Sequence, residues 1–152
     1  MPTLVEIAAL VKAFEGAKAA NHIFPAYAAC EVMEESAWGT TEAFLQANNG
    51  FGEKQTHPPM YSTVLLKTWE EVHGQHQTIM AAFILFPTIA DCFVFRMTTL
   101  TRLQMEYPHY RAALHASTGE EFITEVSKSW STDLNRARNV LAIYEAHKGI
   151  LV

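Results

Sequence analysis

Glu35 is followed by Ser36-Ala37-Trp38-Gly39, and the segment Ala26–Ser36 holds no helix breaker and follows Pro25, a good first-turn residue. This spacing predicts a helix with Glu35 in its last turn, against a tryptophan and a glycine. There the negative end of the helix dipole opposes a further negative charge. Glu31 lies one turn back, Glu34 is next door, and Trp38 offers an apolar wall. Like charge and burial therefore also favour a carboxyl that keeps its proton. A proton-bearing carboxyl in a cleft is what general acid catalysis needs, and cleavage of a glycosidic bond is one reaction that uses it. On these three glutamates alone, a solvated acidic helix end beside a core tryptophan is the better reading.

The stretch continuing to Lys54 decides between the two readings. Glu35-Ser36-x-Trp38-Gly39, then Ala47-Asn48-Asn49-x-Phe51-Gly52-x-Lys54, resembles the glucosaminidase domain of glycoside hydrolase family 73, the family of flagellar peptidoglycan hydrolases and many bacterial and phage autolysins. The resemblance runs from about Leu4 to Ala146. It implies a mainly α, lysozyme-like domain with a small β-hairpin lobe flanking a substrate cleft. It also implies an endo-β-N-acetylglucosaminidase acting on peptidoglycan, with Glu35 protonating the leaving oxygen of a GlcNAc-β-1,4-MurNAc bond. An N-acetylmuramidase would use the same fold and acid on the other linkage, and a wall-binding or tail-structural module would keep the cleft without the chemistry.

A second carboxylate follows from the same resemblance. The family's first strand ends T-x-E before a glycine turn, and Thr68-Trp69-Glu70 precedes Gly74 at the matching distance. Glu70 is thus expected to activate water or to steady the oxocarbenium-like centre, with the substrate acetamido group as an alternative internal nucleophile. Glu71 would point to the opposite strand face. The rings of Trp38, Phe51, Tyr61, Trp69 and Trp130 are candidate sugar platforms, and Asn49 joins them as a substrate-side residue, although asparagines in an Asn-Asn-Gly turn serve backbone reversal first.

The chain departs from the family pattern at places that matter. Where the family reads G-Y-A-T-D-P-x-Y-A, this chain has Ser129-Trp130-Ser131-Thr132-Asp133-Leu134-Asn135-Arg136-Ala137. The two family tyrosines thus fall on Trp130 and Arg136. Trp130 can stack on a sugar but has no phenolic hydroxyl, so a role that needs one is lost or passes to Tyr61 or Tyr110. A further departure is Glu53, between Gly52 and Lys54, where the family residue is usually apolar.

The elements that must position these groups can be read from period and caps. Leu4, Ile7, Leu10, Val11 and Phe14 recur at helical spacing and predict a first helix ending near Gly16. A short helix follows over Thr41–Ala47, then a polar loop from Glu53 to Pro59. Tyr61–Val72 and Gln77–Phe86 are rich in β-formers and flank His73-Gly74-Gln75-His76, so a hairpin lobe is expected at about 61–86. Helices resume with Thr88 as cap through about Leu103, from Pro108 to about His115, behind a capping box at Thr118-x-x-Glu121, and from Asp133 as cap to about His147.

The 152 residues, 49% of them apolar, suffice for one domain, 1–152, with its own core. Cys30 and Cys92 sit in apolar helical patterns and read as small core residues; whether they are bridged is open. No metal or other cofactor is expected: His73 and His76 lack further ligands at metal spacing, no serine has a hydrolase elbow, and neither cysteine has a nearby base. The net charge of −5, without a Lys/Arg cluster, argues against nucleic acid and anionic membrane as partners. The expected partner is the peptidoglycan glycan strand, met by a monomer. The N-terminus lacks the basic start and apolar core of a secretory signal, and no segment has transmembrane length. Action on the wall, periplasmic or extracellular, then implies an endolysin released through a holin pore or a domain excised from a longer protein.

Overall fold

The computed structural model describes residues 2–54 and 61–152. Seven helices run α1 Leu4–Ala19, α2 Pro25–Glu35, α3 Glu42–Ala47, α4 Ile89–Leu103, α5 Pro108–Leu114, α6 Gly119–Trp130 and α7 Arg136–His147 among these residues. Between α3 and α4 the chain forms an antiparallel hairpin, β1 Thr63–Val72 and β2 Gln75–Ile84. The architecture is therefore mainly α with a small β lobe, as the sequence predicts. The predicted polar loop lies largely outside the described residues.

Helix starts follow side-chain chemistry. Thr3 and Thr88 each accept from the backbone three residues on, while Glu6 and Asp91 return the bond to the cap backbone. At α6 only half of the predicted box forms. The Thr118 side chain accepts from Glu121 N, but the Glu121 carboxylate reaches back to Ser117 N instead. Asp133 is not the cap of α7. Its Oδ1 accepts from Asn135 N at 2.9 Å in a turn, and the helix begins at Arg136.

On α1 the buried stripe is Leu10, Ala13, Phe14 and Ala17, and Leu4 is 89% exposed. Of the predicted stripe, Leu10 and Phe14 are buried, whereas Leu4 and Val11 are exposed. Gly16 is not a terminator. It lies inside the helix, where an added Cβ would come within 2.7 Å of Ile89 Cγ2, so it lets α1 approach α4 closely. The core gathers Leu10, Phe14, Val32, Met33, Phe93, Leu100, Phe122, Ile123 and Val126 between the helices. Cys30 and Cys92 are free and buried within it, and burial pushes each thiol up to about 12.

The hairpin turns on His73 and Gly74 alone, both at positive φ (53° and 76°), which suits a tight primed turn. Its root is anchored and its tip is not. Leu66 and Phe83 pack on Ala43 and Ala47 of α3, whereas the outer residues Trp69, Glu70 and Glu71 are exposed. The Asn-Asn-Gly-Phe-Gly loop ties this root to the helices. Asn49 Nδ2 donates to the carbonyls of Ile84 and Glu53, Asn49 Oδ1 accepts from Glu53 N, and Ile84 N donates to Glu53 O.

Candidate active site

Helix α2 ends at Glu35 because the next residues reverse the chain. Ala37 and Trp38 adopt φ of 48° and 59°, and Gly39 follows at 77°. Such angles are unfavourable for residues with a Cβ and persist only where the surroundings hold them. Here Trp38 N donates to Met33 O, and Ser36 Oγ, buried, accepts from Gly39 N at 2.9 Å. Gly39 has no room for a side chain, since a Cβ would come within 2.7 Å of Ala9 Cβ. The Glu-Ser-Ala-Trp-Gly motif is thus a rigid stop that leaves the Glu35 side chain partly exposed, at 26%.

Beneath Glu35 lies a buried chain of charges. Arg96 of α4 grips Glu31 with both terminal nitrogens, Nη1 to Oε1 at 3.0 Å and Nη2 to Oε2 at 2.7 Å. Arg136 of α7 donates from Nη2 to the same Glu31 Oε2 at 2.7 Å, from Nη1 to Ser127 Oγ at 2.8 Å, and from Nε to Glu35 Oε1 at 2.8 Å. Burial acts against charge at Glu31, but Arg96 and then Arg136 outweigh it and hold the carboxyl at about 2. Burial likewise works against the Arg136 charge, and Glu31 and Glu35 reverse it, raising the guanidinium above its ordinary range. The sequence argument that Glu31 crowds Glu35 with uncompensated like charge is therefore corrected: two guanidiniums neutralise it, and one of them holds Glu35 directly.

Glu35 opens into a cavity of about 410 Å³ lined by Phe51, Gly52, Glu53, Phe95, Thr99, Arg102, Leu103, Tyr110, Trp130 and Ser131. That is in the size range of a small-molecule site. Trp130 and Phe51 meet edge to face at 5.7 Å, and the Arg96 guanidinium sits 4.1 Å from the Trp130 ring and 4.4 Å from that of Phe51. One wall is thus aromatic and braced by the same arginine that holds Glu31. Tyr110 donates its hydroxyl to Ser129 O at 3.3 Å, and burial raises it above the ordinary phenol range.

A carboxyl on a rigid helix end, held by one arginine, thus faces an aromatic-walled cavity, a geometry suited to acid–base chemistry on a bound ligand. The family model described as glucosaminidase, mannosyl-glycoprotein endo-β-N-acetylglucosaminidase, matches residues 11–149. The chain belongs to the glucosaminidase family of glycoside hydrolases. It is 27% identical over 128 residues to exo-glucosaminidase LytG of Bacillus subtilis, which covers 83% of this chain and 45% of that protein. The chain thus spans about half the length of this relative. Its fold resembles the catalytic domain of the autolysin Auto of Listeria monocytogenes, with a TM-score of 0.72, 19% identity, and 97% and 87% of the two chains covered. It also resembles the glycoside hydrolase domain of Salmonella typhimurium FlgJ, with a TM-score of 0.73, 22% identity, and 95% and 98% covered.

Within this glucosaminidase fold, the structure brings Glu35, Phe51 and Trp130 together in one cavity. Trp38 is not in its lining and packs edge-on against His147, with ring centroids 5.2 Å apart. Tyr61 lies behind the wall, against Phe86 and Phe95. Asn49 is 1% exposed and its amide is engaged with the Glu53 backbone and Ile84 O, so its work is in the loop rather than at a ligand. Glu70 pairs across the hairpin with Gln77 and is exposed, outside the lining of the Glu35 cavity. Glu71 sits on the other strand face with His76, 3.4 Å away. Trp69, 70% exposed, helps line a second cleft of about 440 Å³ with Lys67, Thr68, Thr78, Ala37 and Thr40–Glu42.

Three residues escaped the sequence reasoning: Arg96, Arg136 as the tether of Glu35, and Glu53 in the cavity. Each left a trace. Arg96 is a lone cation in the apolar run Cys92–Met97, Glu31 and Glu35 sit at i and i+4 on one helix face and call for counter-charge, and Glu53 replaces an apolar family residue.

Proposed function

We propose that this glucosaminidase is a peptidoglycan hydrolase, cutting GlcNAc-β-1,4-MurNAc bonds within the glycan strand outside the cytoplasmic membrane, with residues 1–152 acting as one catalytic unit and as a monomer. The observation that carries this reading is Glu35, fixed at the end of α2 by Arg136 and facing the aromatic-walled cavity. Arg136 Nε donates to Oε1, which leaves Oε2 as the atom to carry the proton. That proton passes to the glycosidic oxygen as the bond to the anomeric carbon breaks. Water then adds to the anomeric carbon and gives its proton to a carboxylate, for which Glu70 is the candidate. Glu70 shares a strand face with Leu66, which anchors the hairpin on α3, and it sits farther out, where a closing hairpin could carry it over bound substrate.

The Trp130 ring serves as a sugar platform, as Phe51 does beside it, and the exposed Trp69 extends the apolar surface along the hairpin. Arg136 bears on the rival reading of a binding module without chemistry. Its Nε fixes the Glu35 carboxyl at the cavity, which supports a built site at a position where the family pattern that the chain resembles has a tyrosine.

Digestion of purified walls tests the proposal. New reducing ends on GlcNAc, read by mass spectrometry after borohydride reduction, support it. Reducing MurNAc would make the enzyme a muramidase, and binding without any new reducing ends would leave only the wall-binding module.

A further inference from the structure

The cavity that holds Glu35 contains another carboxyl. Glu53 enters it from the loop between α3 and β1, and its backbone is fixed at three points: N to Asn49 Oδ1 at 2.9 Å, and O accepting from Asn49 Nδ2 at 2.8 Å and Ile84 N at 3.0 Å. Its Oε1 is wholly enclosed and has no hydrogen-bond partner. A buried carboxylate oxygen without a donor is costly, whereas a neutral carboxyl tolerates the same place. The charged and titratable groups around it are Glu35 on α2, the Cys92 thiol, Arg96 and Arg102 on α4, and Tyr110 on α5. Both arginines act on it only at long range. The Arg96 terminal nitrogens are committed to Glu31 and its guanidinium lies against the rings of Trp130 and Phe51, while its Nε is buried with no hydrogen-bond partner of its own and Arg102 is exposed.

We propose that Glu53 is a second working carboxyl of the cavity, kept neutral beside Glu35 and donating a hydrogen bond to an acceptor oxygen of the bound N-acetyl sugar. The inference rests on the glucosaminidase reading and deepens it by naming a group that recognises substrate. Neutrality is favoured first by burial and then by the nearby Glu35, against the pull of Arg96 and Arg102, so that the Glu53 carboxyl is raised to about 7. Its proton is then present at pH 6 and leaves above neutrality. Once ionised, Glu53 can no longer donate, and it sets a negative charge in the cavity that binds the sugar.

Glutamine copies a neutral carboxyl as a donor but does not titrate. On soluble, uncross-linked glycan strands at pH 6, Glu53→Gln should recover most of the KM that Glu53→Leu loses, and it should move the alkaline limb of the pH profile upward. Glu53→Leu, which fills the space without a donor, should raise KM by about 5- to 20-fold, the loss of one buried hydrogen bond, with kcat changed less. Thermal unfolding of each variant separates loss of fold from loss of donor. A Glu53→Gln enzyme with the parent's alkaline limb, or one as inactive as Glu35→Gln, would overturn the inference, the latter because a base is abolished by the amide. If the parent makes no reducing ends at all, the reading of the activity itself has failed; if the parent is active and only the Glu53 variants behave otherwise, the fault lies with Glu53.

Discussion

Replacing Glu31 by glutamine should both loosen the fold and disturb the acid above it. Glu31 is wholly buried and accepts from Arg96 and Arg136 together, so the amide leaves two buried guanidiniums without their shared counter-charge. Its carboxyl lies at about 2 in the folded protein against an ordinary 4.5. At about 1.4 kcal/mol per pH unit this corresponds to about 3 kcal/mol of stability. That agrees with the roughly 3–5 kcal/mol lost when one partner of a buried ion pair is removed. For a chain of this size the melting temperature should fall by about 6–12 °C.

The sign with pH follows. A depressed carboxyl stabilises above its unfolded value, so the gap between parent and variant should be full at pH 7 and should close as pH falls from 4.5 towards 2. Buried His22 also weakens the protein in acid. Burial first, with Arg96, lowers its imidazole to about 4, so its contribution is lost between 6.5 and 4. Glu31 is among the groups that raise it, so in the variant this loss extends to lower pH and partly opposes the closing of the gap in acid. Urea unfolding at pH 7, 5 and 3.5 measures the gap. A Glu31→Gln protein within 2 °C of the parent at pH 7, or a gap independent of pH, would refute the reasoning. Wall lysis should fall with stability held in excess by low temperature, because Arg136 loses the anchor that aims its Nε at Glu35.

Trp130→Ala should raise KM on glycan strands by about 5- to 10-fold, as expected for loss of an aromatic platform, and Trp130→Tyr by less; a tyrosine variant with higher turnover than the parent would mean that a phenol was missing from the site. Glu70→Gln should lower kcat with KM little changed, and by less than Glu35→Gln, since water or the substrate acetamido group can partly substitute. Full activity in Glu70→Gln with an inactive Glu71→Gln would move the second carboxylate to the other strand face.

The fold was legible wherever a local rule acts alone. Prolines at first turns, threonine caps, and the change to a β-rich period around His73-Gly74 placed the helices and the hairpin within a few residues. The buried stripe of α1 is only partly legible because Leu4 and Val11 match the period as well as Ala13 and Ala17 do, and only packing against both α2 and α4 chooses between them. The site was legible as a motif but not as an electrostatic arrangement. That Glu35 ends a helix follows from local sequence. That Glu31 is neutralised depends on Arg96 and Arg136, 65 and 105 residues away, and no spacing rule spans that distance. Trp38 was set against Glu35 because it is near in sequence, yet the positive φ angles of Ala37 and Trp38 turn its ring to His147, and Trp130 supplies the cavity wall.

The most direct test of the account is Glu35→Gln assayed on purified peptidoglycan beside the parent. The amide keeps the shape and can still meet Arg136, but it has no proton to give, so release of new reducing ends should drop by at least ~100-fold, the low end for a general acid, while far-UV circular dichroism stays at the parent's. A folded Glu35→Gln protein that releases reducing ends within a few fold of the parent would contradict the account at its centre.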